Sequence, residues 1–147
     1  MVKMYGKLLL KSSDLLFGFS VHKQVDFLNT SQWWSRSELR RYQTKKVLKL
    51  ISYASKSVPF YRNFFKKNKF TIKDFKNLKD LEKLPIVTKK ELIRNSKNFI
   101  SDDFPESEKV IINTGGTTGK PLSSYTSKYA RSLLRSSNIR GKSWAGI

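Results

Sequence analysis

Apolar residues recur at close to the helical period along the middle of the chain. Ser35-Arg36-Ser37-Glu38 has the Ser-x-x-Glu form in which hydroxyl and carboxylate satisfy N–H groups that a helix start leaves unpaired, so a helix is predicted to begin there. Leu39, Tyr42, Val47, Leu50, Ile51, Ala54 and Val58 then form one apolar stripe about five turns long. Pro59 ends it. Because proline suits the first turn of a helix, Pro59 also opens a short second one that carries Phe60, Tyr61, Phe64 and Phe65 as core. Leu81 to Pro85 marks a turn, and Thr88-Lys89-Lys90-Glu91 repeats the capping spacing, starting a helix of about two turns through Arg94. Residues 101–107 form a loop. Val110-Ile111-Ile112 is a β-branched run that fits a short buried strand.

With 147 residues, 38% hydrophobic and 13% aromatic, the chain has enough apolar content for one ordinary globular domain. No stretch approaches the roughly 18 to 20 apolar residues that span a bilayer. Lys3 and Lys7 ahead of Leu8-Leu9-Leu10 resemble the start of a signal peptide, but Lys11 and Asp14 interrupt the run and no small-residue cleavage pattern follows. An amphipathic N-terminal segment is the expectation, and a cytoplasmic location the default. The absence of Cys and the presence of one His, His22, exclude thiolate zinc sites, His-rich metal cages, disulfide frameworks and Cys nucleophiles.

Thirty Lys and Arg against eleven Asp and Glu leave a formal charge of +19, which raises nucleic acid or an anionic surface as partners. The run from Leu39 to Lys73 contains no acidic residue, while Arg40, Arg41, Lys45, Lys46, Lys49, Lys56, Arg62, Lys66, Lys67, Lys69 and Lys73 are basic. Clustered cations with aromatic side chains for stacking are how sequence-tolerant nucleic-acid binders work. Here the aromatics fall on the apolar stripe and the cations on its complement, so a solvated helix face is the preferred reading. Lys128, Arg131 and Arg135, near Leu133 and Leu134, likewise read as an exposed face. Asp102, Asp103 and Glu106 lack calcium-loop spacing and read as solvated charges. Residues 8–19 mix apolar and cationic positions, yet show only part of the moment that an interfacial membrane helix needs.

Directly after the candidate strand, Thr114-Gly115-Gly116-Thr117-Thr118-Gly119-Lys120-Pro121 sets three glycines and three threonines around one lysine. It reads as an anion cradle. Glycines let successive N–H groups converge on phosphate oxygens, the threonine hydroxyls add donors, and Lys120 supplies a point charge with no competing carboxylate in the loop. The G-x-x-x-x-G-K-[ST] phosphate loop is not satisfied: Thr114 stands at its first Gly, and Pro121 replaces the hydroxyl that would bind magnesium. A Gly/Thr-rich hairpin turn between strands around Ile112 and Tyr125 is the generic alternative.

The same eight residues resemble the phosphate-binding signature of adenylate-forming enzymes, [ST]-[ST]-G-T-T-G-x-P. Tyr53-Ala54 followed by Val58-Pro59-Phe60-Tyr61-Arg62, then Leu81-Glu82-Lys83-Leu84-Pro85-Ile86-Val87-Thr88-Lys89, is similar to the N-terminal region of phenylacetate-CoA ligase-like proteins. The likeness covers residues 33–147. Gln32-Trp33-Trp34-Ser35 with Leu39 and Tyr42-Gln43 resembles the CapK-type branch, associated with capsular polysaccharide biosynthesis. The resemblance implies an α/β fold: a helical N-terminal region, then the beginning of the large N-terminal domain of the adenylate-forming, acyl-CoA synthetase-like fold.

It further implies an extension at residues 1–34 and an incomplete adenylate-forming domain at residues 35–147. Such enzymes join a carboxylate to ATP as an acyl-adenylate and then pass the acyl group to a thiol such as coenzyme A. The implied cofactors are ATP, Mg2+ and coenzyme A, and the implied partner is a small-molecule carboxylate; oligomeric state has no signal here. By position, Thr114, Thr117 and Thr118 would donate hydroxyls to the β- and γ-phosphates, Gly115, Gly116 and Gly119 backbone N–H groups, and Lys120 its charge. Gly115 departs from the usual Ser or Thr, and Leu122 from a frequent Lys. Family members are several times longer, so the expectation is an N-terminal fragment that is inactive alone. The alternative from another class is a small basic module for nucleic acid or anionic surfaces.

Overall fold

A computed structural model of the protein describes residues 4–17, 20–113 and 123–146; they are mostly helical, with one two-stranded sheet. The chain divides into two compact units. One comprises Arg36–Ser107 and Asn113–Ser124, the other Met1–Ser35, Glu108–Ile112 and Tyr125–Ile147.

In the unit built on Arg36–Ser107, α3 (Arg36–Ser57) starts right after Ser35, as the capping pattern predicts, and stops before Val58. It follows α1 (Met4–Phe17) and α2 (Val21–Ser31), which belong to the other unit. Pro59 then opens α4 (Pro59–Lys67) at a position where its missing N–H costs nothing. The end of α4 is a left-handed cap. Lys69 has φ +54°, Phe70 N–H returns to Phe65 O at 2.9 Å, and Lys69 N–H reaches Lys66 O at 3.3 Å. These are the two reversed bonds of a Schellman ending, with the Phe65 and Phe70 rings in contact across it at 6.2 Å.

That reversal folds the chain onto α3. Ile51, Phe65 and Phe75 are buried, and Val47, Leu48, Phe64, Phe70 and Leu84 pack around them. Phe65 stacks on Phe75 at 5.2 Å, and Phe70 meets Phe75 edge-on at 5.8 Å, geometries that aromatic pairs prefer. The predicted stripe on α3 is corrected at two positions, since Leu39 is 37% and Leu50 65% exposed, and Leu48 faces the core instead. Leu50 lies about 100° around the helix from Ile51, too far to share its face.

Beyond α4 the segment is held by carboxylates. Asp74 accepts from Thr71 N–H at 2.7 Å, and Asp80 accepts from Lys76 and Asn77 N–H at 2.8 and 3.0 Å. The turn expected at Leu81 to Pro85 begins earlier, as a 3-10 helix over Leu78–Lys83. The Lys83 ammonium hydrogen-bonds Asp80 at 2.7 Å; with the two backbone donors it pulls that carboxyl down to about 2. Thr88 caps α5 (Lys89–Arg94), its hydroxyl accepting from Glu91 N–H at 3.2 Å.

The loop carboxylates at Asp102 and Asp103 are not merely solvated, as the sequence suggests. Asp102 N–H caps the Ser57 carbonyl at 2.8 Å, Asp102 pairs with Arg62 at 2.8 Å, and Asp103 accepts from Ser57 Oγ at 2.8 Å. The last carbonyls of a helix lack intrahelical partners, so a loop that can supply donors there is drawn in. The Ser57 hydroxyl holds Asp103 below the usual carboxylate range. The loop also ends differently, turning into a 3-10 helix at Glu106–Glu108.

In the other unit, α2 packs against α6 (Lys128–Trp144), which Ser127 caps by accepting from Ala130 N–H at 3.1 Å. The seam is made of small residues. Val21 and Val25 on α2 and Ser132 and Ser136 on α6 are 0–3% exposed. The Ser136 hydroxyl lies between Ser132 O at 2.6 Å and Val21 O at 3.1 Å, so its burial leaves no unmet donor. Lys128, Arg131 and Arg135 are exposed, as expected, and Leu133 and Leu134 face outward beside them.

Phe75→Ala is expected to cost about 3–5 kcal/mol in urea unfolding, against no more than about 0.5 kcal/mol for Leu50→Ala; equal losses would displace the core from Phe75. Lys69→Gly should raise stability by about 0.5–1 kcal/mol, because glycine relieves the left-handed backbone, and a loss in the same titration would contradict the cap.

Candidate functional site

The predicted strand exists as β1 (Val110–Asn113), paired with β2 (Ser123–Thr126). Residues 114–122 join them, too few for a parallel crossover, so the pair is a hairpin. Thr114, Gly115, Gly116, Thr117, Thr118, Gly119 and Lys120, with Pro121 and Leu122, lie outside the described residues. What the structure describes is the base of the loop.

Asn113 and Ser123 flank that loop, and Ser123 Oγ donates to Asn113 Oδ1 at 2.7 Å, closing the two strand ends on each other. Lys109 Nζ stands 5.9 Å from the Tyr125 ring centroid, a cation–π pair one step before β1. The expectation of a buried strand is corrected: Ile111 is 61% and Ile112 44% exposed. A two-stranded sheet gives each strand a single neighbour, and the described residues leave these side chains largely uncovered. Paired strands around Ile112 and Tyr125 suit both the anion cradle and the plain hairpin turn.

A second polar centre was not anticipated from sequence. Asp14 on α1 is 4% exposed and accepts from His22 N–H at 2.8 Å, with the His22 ring nitrogen Nδ1 at 2.6 Å from the same oxygen. Burial pushes the Asp14 carboxyl up, but the backbone and ring donors of His22 together with the Val21 N–H outweigh it, and the net shift is downward. An Asp–His pair can orient an imidazole for proton transfer. No third metal-ligating group joins it among the described residues, and the pair fastens α1 to α2. Its one sequence signal was a carboxylate eight residues before the sole histidine.

All eleven cations of the acid-free run are exposed, which agrees with a solvated face; Arg62 is taken up by Asp102. No group of metal-ligating side chains occurs among the described residues, and no described helix is long and apolar enough to cross a membrane.

The chain matches no protein-family model. It is similar to a phenylacetate-coenzyme A ligase of Thermus thermophilus, 34% identical over 87 residues, which is 58% of this chain and 19% of that protein. It is also similar to the phenylacetate-coenzyme A ligase of Escherichia coli, 36% identical over 88 residues, 59% of this chain and 20% of that protein. The chain thus spans about a fifth of the length of the curated relatives it matches.

A carboxyl held down in the folded state stabilises at pH values above its unfolded pKa, about 3.9 for Asp, and that contribution is lost as pH falls through the lower folded value. Asp14→Ala should therefore lower the melting temperature at pH 7, through a loss of about 1.5–3 kcal/mol, and the gap from wild type should narrow as pH falls below about 4. A gap unchanged across that range in calorimetry would remove the ionised carboxylate from the α1–α2 junction.

Proposed function

We propose that this chain is the N-terminal portion of an ATP-dependent, carboxylate-activating ligase of the phenylacetate-CoA ligase type. Residues 35–147 begin its adenylate-forming domain, and residues 114–120 hold the β- and γ-phosphates of ATP. One coincidence supports the reading most: the Thr-Gly-Gly-Thr-Thr-Gly-Lys-Pro segment is strung between two hydrogen-bonded strands, in a chain 34–36% identical over more than half its length to two such ligases. The Gln32-Trp33-Trp34-Ser35 lead-in supports placement on the CapK-type branch, with a part in capsular or exopolysaccharide biosynthesis.

In this reaction a carboxylate oxygen attacks the α-phosphorus of ATP, the bond to the bridging oxygen breaks, and pyrophosphate leaves as the acyl-adenylate forms. A thiol such as coenzyme A then accepts the acyl group. The chain's own contribution is electrostatic. Charge accumulates on the departing pyrophosphate, and donors already fixed in place stabilise it without reorganising. Lys120 supplies the point charge, Thr114, Thr117 and Thr118 the hydroxyls, and Gly115, Gly116 and Gly119 the amides, with no loop carboxylate to repel the phosphates. Magnesium would accompany the ATP, shielding charge on the phosphates that these donors hold.

The polypeptide carrying this chain should catalyse ATP–pyrophosphate exchange that depends on an added carboxylate such as phenylacetate. Lys120→Ala is expected to lower that exchange about 100-fold or more, the usual cost of removing a group that stabilises developing charge. Exchange at the wild-type rate in the variant would take the phosphates away from this loop.

A further inference from the structure

The helix α1 carries an apolar face with no covering element among the described residues. Leu8, Leu9, Leu15 and Leu16 are 69%, 70%, 87% and 77% exposed. At about 100° per residue the four fall within an arc of about 120°, with Ser12 at its centre. The orientation is not free to change. On the opposite side Asp14 is buried and bonded to His22 of α2, so turning the leucines inward would break that junction. Exposed leucines gathered on one fixed helix face mark an interaction surface.

Charge identifies the occupant. The unit that contains α1 has ten Lys and Arg against three Asp and Glu. Lys11 is exposed beside the leucine face, and Lys23, Lys128, Arg131 and Arg135 are exposed in the same unit. Trp33 and Trp144 there are 83% and 66% exposed, side chains with an apolar body and a polar tip that suit a headgroup layer. An anionic bilayer surface offers hydrocarbon for the leucines and phosphates for the cations together. At 14 residues, or about 21 Å, α1 is too short to cross the roughly 30 Å hydrocarbon core, and it would lie in the interface.

The geometry points to the leucine face of α1 as a docking surface for an anionic lipid bilayer, an inference that does not depend on the ligase reading. The test is flotation of the full chain with vesicles of phosphatidylcholine containing about one-third phosphatidylglycerol, and with pure phosphatidylcholine. Wild type is expected to float with the anionic vesicles, and Leu15→Ser/Leu16→Ser to lower the partition coefficient about tenfold with an unchanged circular dichroism melt. Leu8→Ser/Leu9→Ser provides the same test on the preceding turn should the first variant melt early. Failure of wild type to float would overturn the proposal. So would equal flotation of wild type and both serine variants, which is attraction by charge alone, or a wild-type dimer in light scattering that the serine variants dissolve, which would make the occupant a second copy of this chain.

Discussion

The reversal after α4 is the constraint on which the larger helical unit depends. Phe65 and Phe70 are only five residues apart, yet both must reach Phe75 and the Ile51 face of α3. A right-handed helix continuing past Lys67 would carry Phe70 away from them, so the backbone accepts a left-handed lysine at φ +54°. The strain is offset by the bond from Phe70 N–H to Phe65 O and by the ring contacts that it permits. The segment from Thr71 to Leu84 then arrives beside α3, with Phe75 and Leu84 aimed at its core.

Carboxylates finish what the aromatics begin. Asp74 and Asp80 each fold back on the backbone N–H groups just ahead of them, while Asp102 and Asp103 close the end of α3 from more than forty residues away. This protein has few acidic residues, and several of them serve as backbone acceptors or partners rather than as a balance to its cations. Acid therefore weakens the turns before it reaches the hydrophobic core. Asp80, pulled down to about 2 first by the Lys83 ammonium and then by two backbone N–H groups, keeps its charge well into acid.

Local signals in the sequence were legible where one residue decides the outcome. Thr88 caps a helix with its own hydroxyl, Pro59 ends one and starts another, and the β-branched run at 110 forms a strand. Features that depend on distant partners were not. Leu50 and Leu48 are interchangeable to a periodicity count until the position of Phe65 fixes which side is the core. Asp102 and Asp103 look like solvent-facing charges because their partner, Ser57, is remote in the chain. The α2–α6 seam was invisible, since its buried α6 residues are serines while Leu133 and Leu134 point outward. At the candidate site the strand could be read, but not the exposure of Ile111, which no local pattern encodes.

The serine seam reverses the usual rule for protein interiors. In an aliphatic core, trimming a side chain leaves a void and is the costly direction of change. At Ser136, with no exposed surface and its hydroxyl shared between two carbonyls, there is little side chain to trim and no room to grow. Alanine would forfeit a shared hydrogen bond, whereas leucine would have to force two helices apart. Variation at this junction is thus confined to the smallest amino acids, a size filter imposed by how closely two backbones approach.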